Sequence, residues 1–193
     1  MLPPFYQICF QKQLKQAEYL TLSILIFLLQ IKKQVSIESL ATLMPYPTLF
    51  ESRRRGIQRF LKLPILNVKN LWFPLIKYIL RTKVNQQKEL KVAIDRTQWR
   101  DKNIFVISLI FQRRALPLYW KKKTKKGCSN IQDQKRLIGP ILTLLKKYKF
   151  VIIGDREFGS VKLGKWLCDQ NVRFVLRIQK GRYIEQAGKE YKR

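Results

Sequence analysis

No histidine occurs among the 193 residues, and only 12 are Asp or Glu against 40 Lys or Arg. Without imidazole there is no Ser-His-Asp or Cys-His nucleophile, no two-His zinc site and no histidine general base, so any catalysis rests on carboxylates, lysines or thiols. The shortage of acid leaves a formal net charge of +28, and a compact chain so charged repels itself until an anion neutralises it. Cysteine is sparse too. Cys9, Cys128 and Cys168 are far apart and form no Cys-x-x-Cys pair, which excludes a disulfide framework or a thiolate zinc knuckle and fits a reducing cytoplasm. Long apolar runs are also missing: Leu20 to Leu29, LTLSILIFLL, is the longest, shorter than the ~20 residues a membrane-spanning helix needs. A signal peptide is a poor match as well, because Glu18 precedes the run and Ile31, Lys32 and Lys33 stand where small residues would mark a cleavage site. The run reads as a buried helix of a protein with no membrane partner.

What is present is enough apolar material for a core, 46% hydrophobic and 12% aromatic. That excludes a wholly disordered basic tail and points to a globular protein of one or two domains that seeks polyanions. Both halves are basic, +10 over residues 1–90 and +18 over 91–193. The polar stretch KVNQQKE divides a helix-patterned first half from a strand-patterned second half, so the expected organisation is a helical region over 1–82, a linker over 83–90 and an α/β core over 91–180.

In the first half, 20–32 reads as one helix, and Ser36 caps a short second one through Ile37, Leu40 and Leu43. Met44-Pro45-Tyr46-Pro47 breaks it, and Thr48 with Glu51 forms a capping box that opens a third helix. Phe50, Ile57, Phe60 and Leu61 of that helix are assigned to a core, while Arg55, Arg59 and Lys62 share an outer face. A basic third helix suits a helix-turn-helix-like module laid against a DNA groove; a solvated face in a generally basic protein is the other reading. Pro74 starts a further helix.

The second half reads β-β-β-α-β-α-β. Strands are expected over 91–97, 104–111 and 115–120, then a helix capped by a Ser129–Gln132 box and kinked or restarted at Gly139-Pro140, a strand over 150–154, a helix over 160–170 and a strand over 173–178. Two apolar strands end in an aspartate, KVAID at Asp95 and FVIIGD at Asp155. A carboxylate at the end of a buried strand needs a cation, donors or a metal beside it. If the fourth strand docks in parallel beside the first, the two aspartates become neighbours about 4.8 Å apart. Paired carboxylates without histidine form an oxygen-only site that suits Mg²⁺, and two such ions serve phosphodiester chemistry. The alternatives are that Asp155 caps the next helix and that Asp95 pairs with Arg96 or Arg177.

Around these residues, VAIDRTQW, VIIGDREFGS and the following RFVLRIQKG resemble the catalytic core of DDE-class insertion-sequence transposases, in particular the large bacterial family whose ribonuclease-H-like core is interrupted by a β-rich insertion. The resemblance covers residues 91–180 and, more loosely, 20–62 with its SRRRGIQRFL; Asp-Arg-x-Phe after an apolar strand is its most specific part. It implies an α/β fold, in which an N-terminal helical domain precedes an incomplete ribonuclease-H-like fold with a mixed five-stranded sheet and flanking helices. It further implies that Asp95 and Asp155 are catalytic and bind paired Mg²⁺, and that the helical region, with Arg53, Arg54, Arg55, Arg59 and Lys62, binds the terminal inverted repeats of a transposon. A homodimer is compatible with this.

The family's third carboxylate lies in a Tyr-x₂-Arg-x₃-Glu-x₆-Lys helix beyond the insertion, and this sequence has no such string; Glu185 and Glu190 do not fit it, and Glu157 stands only two residues after Asp155. Residues 181–193 read as the start of the insertion. The expectation is therefore DNA binding with little or no strand cleavage by this chain alone. Its rivals are a DNA-binding fragment that regulates intact copies and a basic RNA-binding protein of ribosomal character. Lys121, Lys122 and Lys123, within KKKTKKG, read either as a solvated charge run or as non-specific backbone contacts.

Overall fold

A computed structural model describes residues 2–85, 87–99, 102–123, 129–180, 184–186 and 189–192, with the backbone alone at 99, 123, 184–186 and 189–192. The chain divides into two compact units, Met1–Thr82 and Lys83–Arg193.

The first unit is helical: α1 (Pro4–Gln11), α2 (Gln16–Lys32), α3 (Ile37–Leu43), α4 (Phe50–Leu61) and a π-helical turn (Val68–Trp72) that leads into α5 (Phe73–Lys83). The longest apolar run lies in α2, which is apolar on more than one side because it separates two clusters. Leu25 and Leu28 pack with Leu40, Ala41, Met44, Ile57 and Phe60. Tyr19, Leu22 and Ile26 turn toward Phe10, Leu14 and Leu75. A helix between two such clusters has little need of a polar face, although Leu20, Phe27 and Ile31 remain about half exposed. No single helix among the described residues is long and apolar enough to cross a membrane.

Ser36 caps α3 as expected, its hydroxyl accepting the Ser39 amide at 3.3 Å. The Thr48–Glu51 box does not form. The Thr48 amide turns back to the Tyr46 carbonyl, Leu49 stands at the cap without a side-chain bond, and the Glu51 carboxylate goes to Arg54 one turn on, at 3.0 Å. Ile57 and Phe60 are buried, but Phe50 and Leu61 are exposed, since residues at either end of a short helix overhang the core it packs on.

The second unit holds β1 (Leu90–Trp99), β2 (Lys102–Phe111), β3 (Arg114–Lys123), α6 (Ile131–Leu144), β4 (Phe150–Gly154), α7 (Val161–Asp169) and β5 (Arg173–Leu176), then a hairpin of β6 (Ile184–Gln186) and β7 (Lys189–Lys192). The first five strands form one mixed sheet in the order β3-β2-β1-β4-β5. β1, β2 and β3 make an antiparallel meander, and β4 and β5 add in parallel beside β1. The β2–β3 hairpin turns on Gln112 and Arg113, both left-handed at φ 49° and 62°, a turn whose twist matches that of the strands. β2 alternates strictly, its buried residues Asn103, Phe105, Ile107 and Leu109 facing the core. α6 lies against β2 and β3, α7 against β5, and the two helices touch each other.

Asn130, not Ser129, caps α6, its side-chain oxygen accepting the Asp133 amide at 2.8 Å. The helix runs through Pro140 to Leu144 without restarting, held on its inner side by Leu137, Ile138 and Ile141; tertiary burial outweighs the single backbone bond that proline removes.

Candidate metal centre and nucleic-acid interface

The register of β1 against β4 ends at Ile94 opposite Gly154. One residue further along each chain stands an aspartate, so Asp95, still within β1 and paired with Val106 of β2, and Asp155, just past β4, lie at one level on strands about 4.8 Å apart. Both are exposed. Ile94 is buried, and a Cβ on Gly154 would meet Phe158 and Leu176, so alternation along the strands turns the next residues toward the opposite face.

Each carboxylate is steadied by one short-range bond. Asp95 Oδ1 accepts the Arg96 amide at 2.7 Å, and Asp155 Oδ1 accepts the Glu157 amide at 3.0 Å. The structural alternatives for the pair are not what these residues do. The cap of α7 is Ser160, whose hydroxyl accepts the Leu163 amide at 3.1 Å. Arg96 pairs with Glu157 rather than with Asp95, and neither aspartate has an ion pair among the described residues. Arg177 follows Leu176, the partner of Gly154 on β5, and stands exposed beside Asp155 at the same level.

Local packing explains the rest of the motif after β4. Phe158 is fully buried and meets Phe105 edge-on at 6.1 Å between centroids. Gly159 lies so close to β5 that a Cβ there would stand 2.0 Å from the Arg177 carbonyl oxygen, a separation no side chain tolerates. Glu157 turns inward: Oε2 meets Arg96 Nε at 2.6 Å and Oε1 accepts the Ser129 amide at 3.1 Å. With both oxygens engaged it is not a third ligand, and no group of three or more Asp, Glu, Cys or His able to hold a metal occurs among the described residues. The side chains of Glu185 and Glu190 lie outside the described residues.

The basic residues of α4 divide by direction. Arg55, Arg59 and Lys62, with Ser52 and Gln58, line one shallow groove of ≈ 390 Å³. The spacing of 3, 4 and 3 from Ser52 to Lys62 stacks four of them on one helix face. Ser52 and Gln58 were not among the sequence candidates; their positions among the arginines were the available signal. Arg53 points elsewhere, donating from Nη1 to the Met44 carbonyl at 3.1 Å and so tying α4 to the end of α3. Arg54 is engaged with Glu51. In the other unit, Lys121 and Lys122 are exposed near the end of edge strand β3, where lysines also discourage strand addition. The side chain of Lys123 and residues 124–128 lie outside the described residues.

The chain matches no family model and no curated protein.

Proposed function

We propose that the chain is a DDE-class transposase of the insertion-sequence type, its sheet unit a ribonuclease-H-like core and its helical unit the part that binds transposon ends. The observation that carries this reading is the placement of Asp95 and Asp155 at one level just past the ladder of two adjacent parallel strands, neither serving as a helix cap or an ion-pair partner among the described residues. The strand order β3-β2-β1-β4-β5, an antiparallel meander extended by parallel strands, supports the same core.

The donor set suits Mg²⁺, a hard ion that takes few carboxylates and keeps its waters. Asp95 and Asp155 would hold it, with the Arg96 and Glu157 amides orienting one oxygen of each carboxylate and leaving the other for the ion. Magnesium bound there supplies Lewis-acid activation of the attacking oxygen and stabilisation of the leaving oxygen at a phosphodiester. Arg55, Arg59 and Lys62 hold phosphates along α4, and Ser52 and Gln58 present hydrogen-bonding groups to base edges in the same groove. Lys121 and Lys122 add non-specific backbone attraction.

A second reading keeps the DNA binding and drops the cleavage: a fragment that occupies ends and regulates intact copies. It is favoured by the pair's lack of a third carboxylate among the described residues, because two ligands hold paired ions weakly. The test is a binding and nicking assay on duplexes taken from the DNA flanking the gene. End-specific binding with a Mg²⁺-dependent nick that Asp95→Ala abolishes establishes the enzyme; end-specific binding without nicking establishes the fragment. Equal affinity for structured RNA and end DNA overturns both in favour of an RNA-binding protein.

A further inference from the structure

The residues that follow the two aspartates are joined to each other. Arg96, next after Asp95, meets the Glu157 carboxylate at 2.6 Å, and Glu157 stands two residues after Asp155. The Glu157 side chain keeps 10% of its surface and that of Arg96 27%, so this contact is largely withdrawn from water, where an ion pair holds its geometry far better than on an open surface. The second Glu157 oxygen takes the Ser129 amide, and the Ser129 hydroxyl accepts from Gln134 Nε2 at 3.0 Å. One carboxylate therefore fastens β1 just past Asp95, the turn after β4 and the chain entering α6. The backbone amides that it flanks are those that hold the aspartates: Arg96 N on Asp95 and Glu157 N on Asp155. The last ladder pair between β1 and β4 is Ile94 with Gly154, so this ion pair joins the two chains past their shared ladder, while β1 itself stays paired with β2 through Trp99.

We propose that Glu157 is a positioning residue: through Arg96 it fixes the spacing and orientation of the Asp95–Asp155 pair for a divalent cation, without being a ligand itself. This rests on the reading of the pair as a cation site. Holding the turn after β4 to β1 in this way spares the pair the reorganisation that a loose turn carrying Asp155 would need before gripping an ion.

Two variants test it. Glu157→Gln keeps the shape and an acceptor for Ser129 but removes the charge; Arg96→Met removes the guanidinium that pairs with Glu157. Mn²⁺ binding is read by electron paramagnetic resonance, and amide hydrogen exchange is read residue by residue. Both variants are expected to weaken Mn²⁺ at least tenfold and to speed exchange at positions 96 and 157 at least tenfold, with exchange in the buried residues of β2 unchanged. Unchanged exchange at 96 and 157 overturns the proposal, whatever happens to Mn²⁺. So does unchanged Mn²⁺ affinity in variants whose exchange has risen. Wild-type protein that binds no Mn²⁺ overturns the cation-site reading and the positioning role with it, while locally faster exchange in the variants would still identify the brace between β1 and the turn after β4.

Discussion

Replacing Arg55, Arg59 and Lys62 together by alanine removes the cations that line the α4 groove and leaves Ile57 and Phe60, which hold the helix to its core, in place. Each cation that neutralises a phosphate on duplex DNA contributes about −0.9 to the slope of log affinity against log salt, so the triple substitution makes that slope shallower by about 2.7. The same counterion release is worth about 1 kcal/mol per contact at 0.15 M salt, which for three contacts lowers affinity roughly a hundredfold. Arg53 provides the internal control. It belongs to the same Arg-Arg-Arg triplet, but its guanidinium is spent on the Met44 carbonyl. Arg53→Met therefore leaves the salt slope unchanged and shows instead as a loss of about 1–2 kcal/mol in urea unfolding. Arg54→Ala falls between, because that guanidinium is shared with Glu51. Fluorescence anisotropy titrations over a range of salt concentrations read all of these. A triple variant with the wild-type slope, or an Arg53→Met slope as shallow as that of Arg59→Ala, refutes the assignment of the groove as the phosphate-binding face.

Two stability measurements probe the scaffold behind the acid pair. Phe158 is fully buried against Phe105 and the Gly154 backbone, so Phe158→Ala should cost about 3–5 kcal/mol in urea unfolding; a loss under about 1.5 kcal/mol would mean that the turn after β4 is not packed as described. At the β2–β3 hairpin, Gln112→Asn with Arg113→Gly relieves two left-handed residues and should raise stability by about 1 kcal/mol, with no gain counting against that turn.

Much of the sheet unit was legible from residue types. Phe150–Gly154 is a strand with the expected ends, because a continuous apolar run flanked by polar residues has one good local solution. The parallel docking of β4 beside β1 followed from a rule about crossover connections, and Ser36 caps α3 by side-chain chemistry that acts over three residues; the cap of α7 is Ser160, where the sequence had offered Asp155. Caps chosen between adjacent candidates were less legible. Thr48 against Leu49 and Ser129 against Asn130 are decided by how the incoming chain is aimed, which depends on what the preceding residues pack against. α1 was missed altogether: Pro4–Gln11 has no capping side chain at its start to mark a helix, whereas the equally short α3 is announced by Ser36.

By itself the sequence determined the chemistry available: no imidazole, a large positive charge, and two aspartates each following an apolar run. Periodicity and short-range hydrogen bonding are local properties, and they survive in the linear chain. Only the tertiary structure decided which like residues have unlike roles, since direction depends on neighbours brought in from elsewhere. It sent Arg53 inward and Arg55 outward along one helix. It turned Glu157 toward Arg96 and Ser129 while Asp155, two residues earlier, stayed at the surface beside Asp95, because the buried Phe158 and the close approach of Gly159 to β5 fix the path of the turn between them.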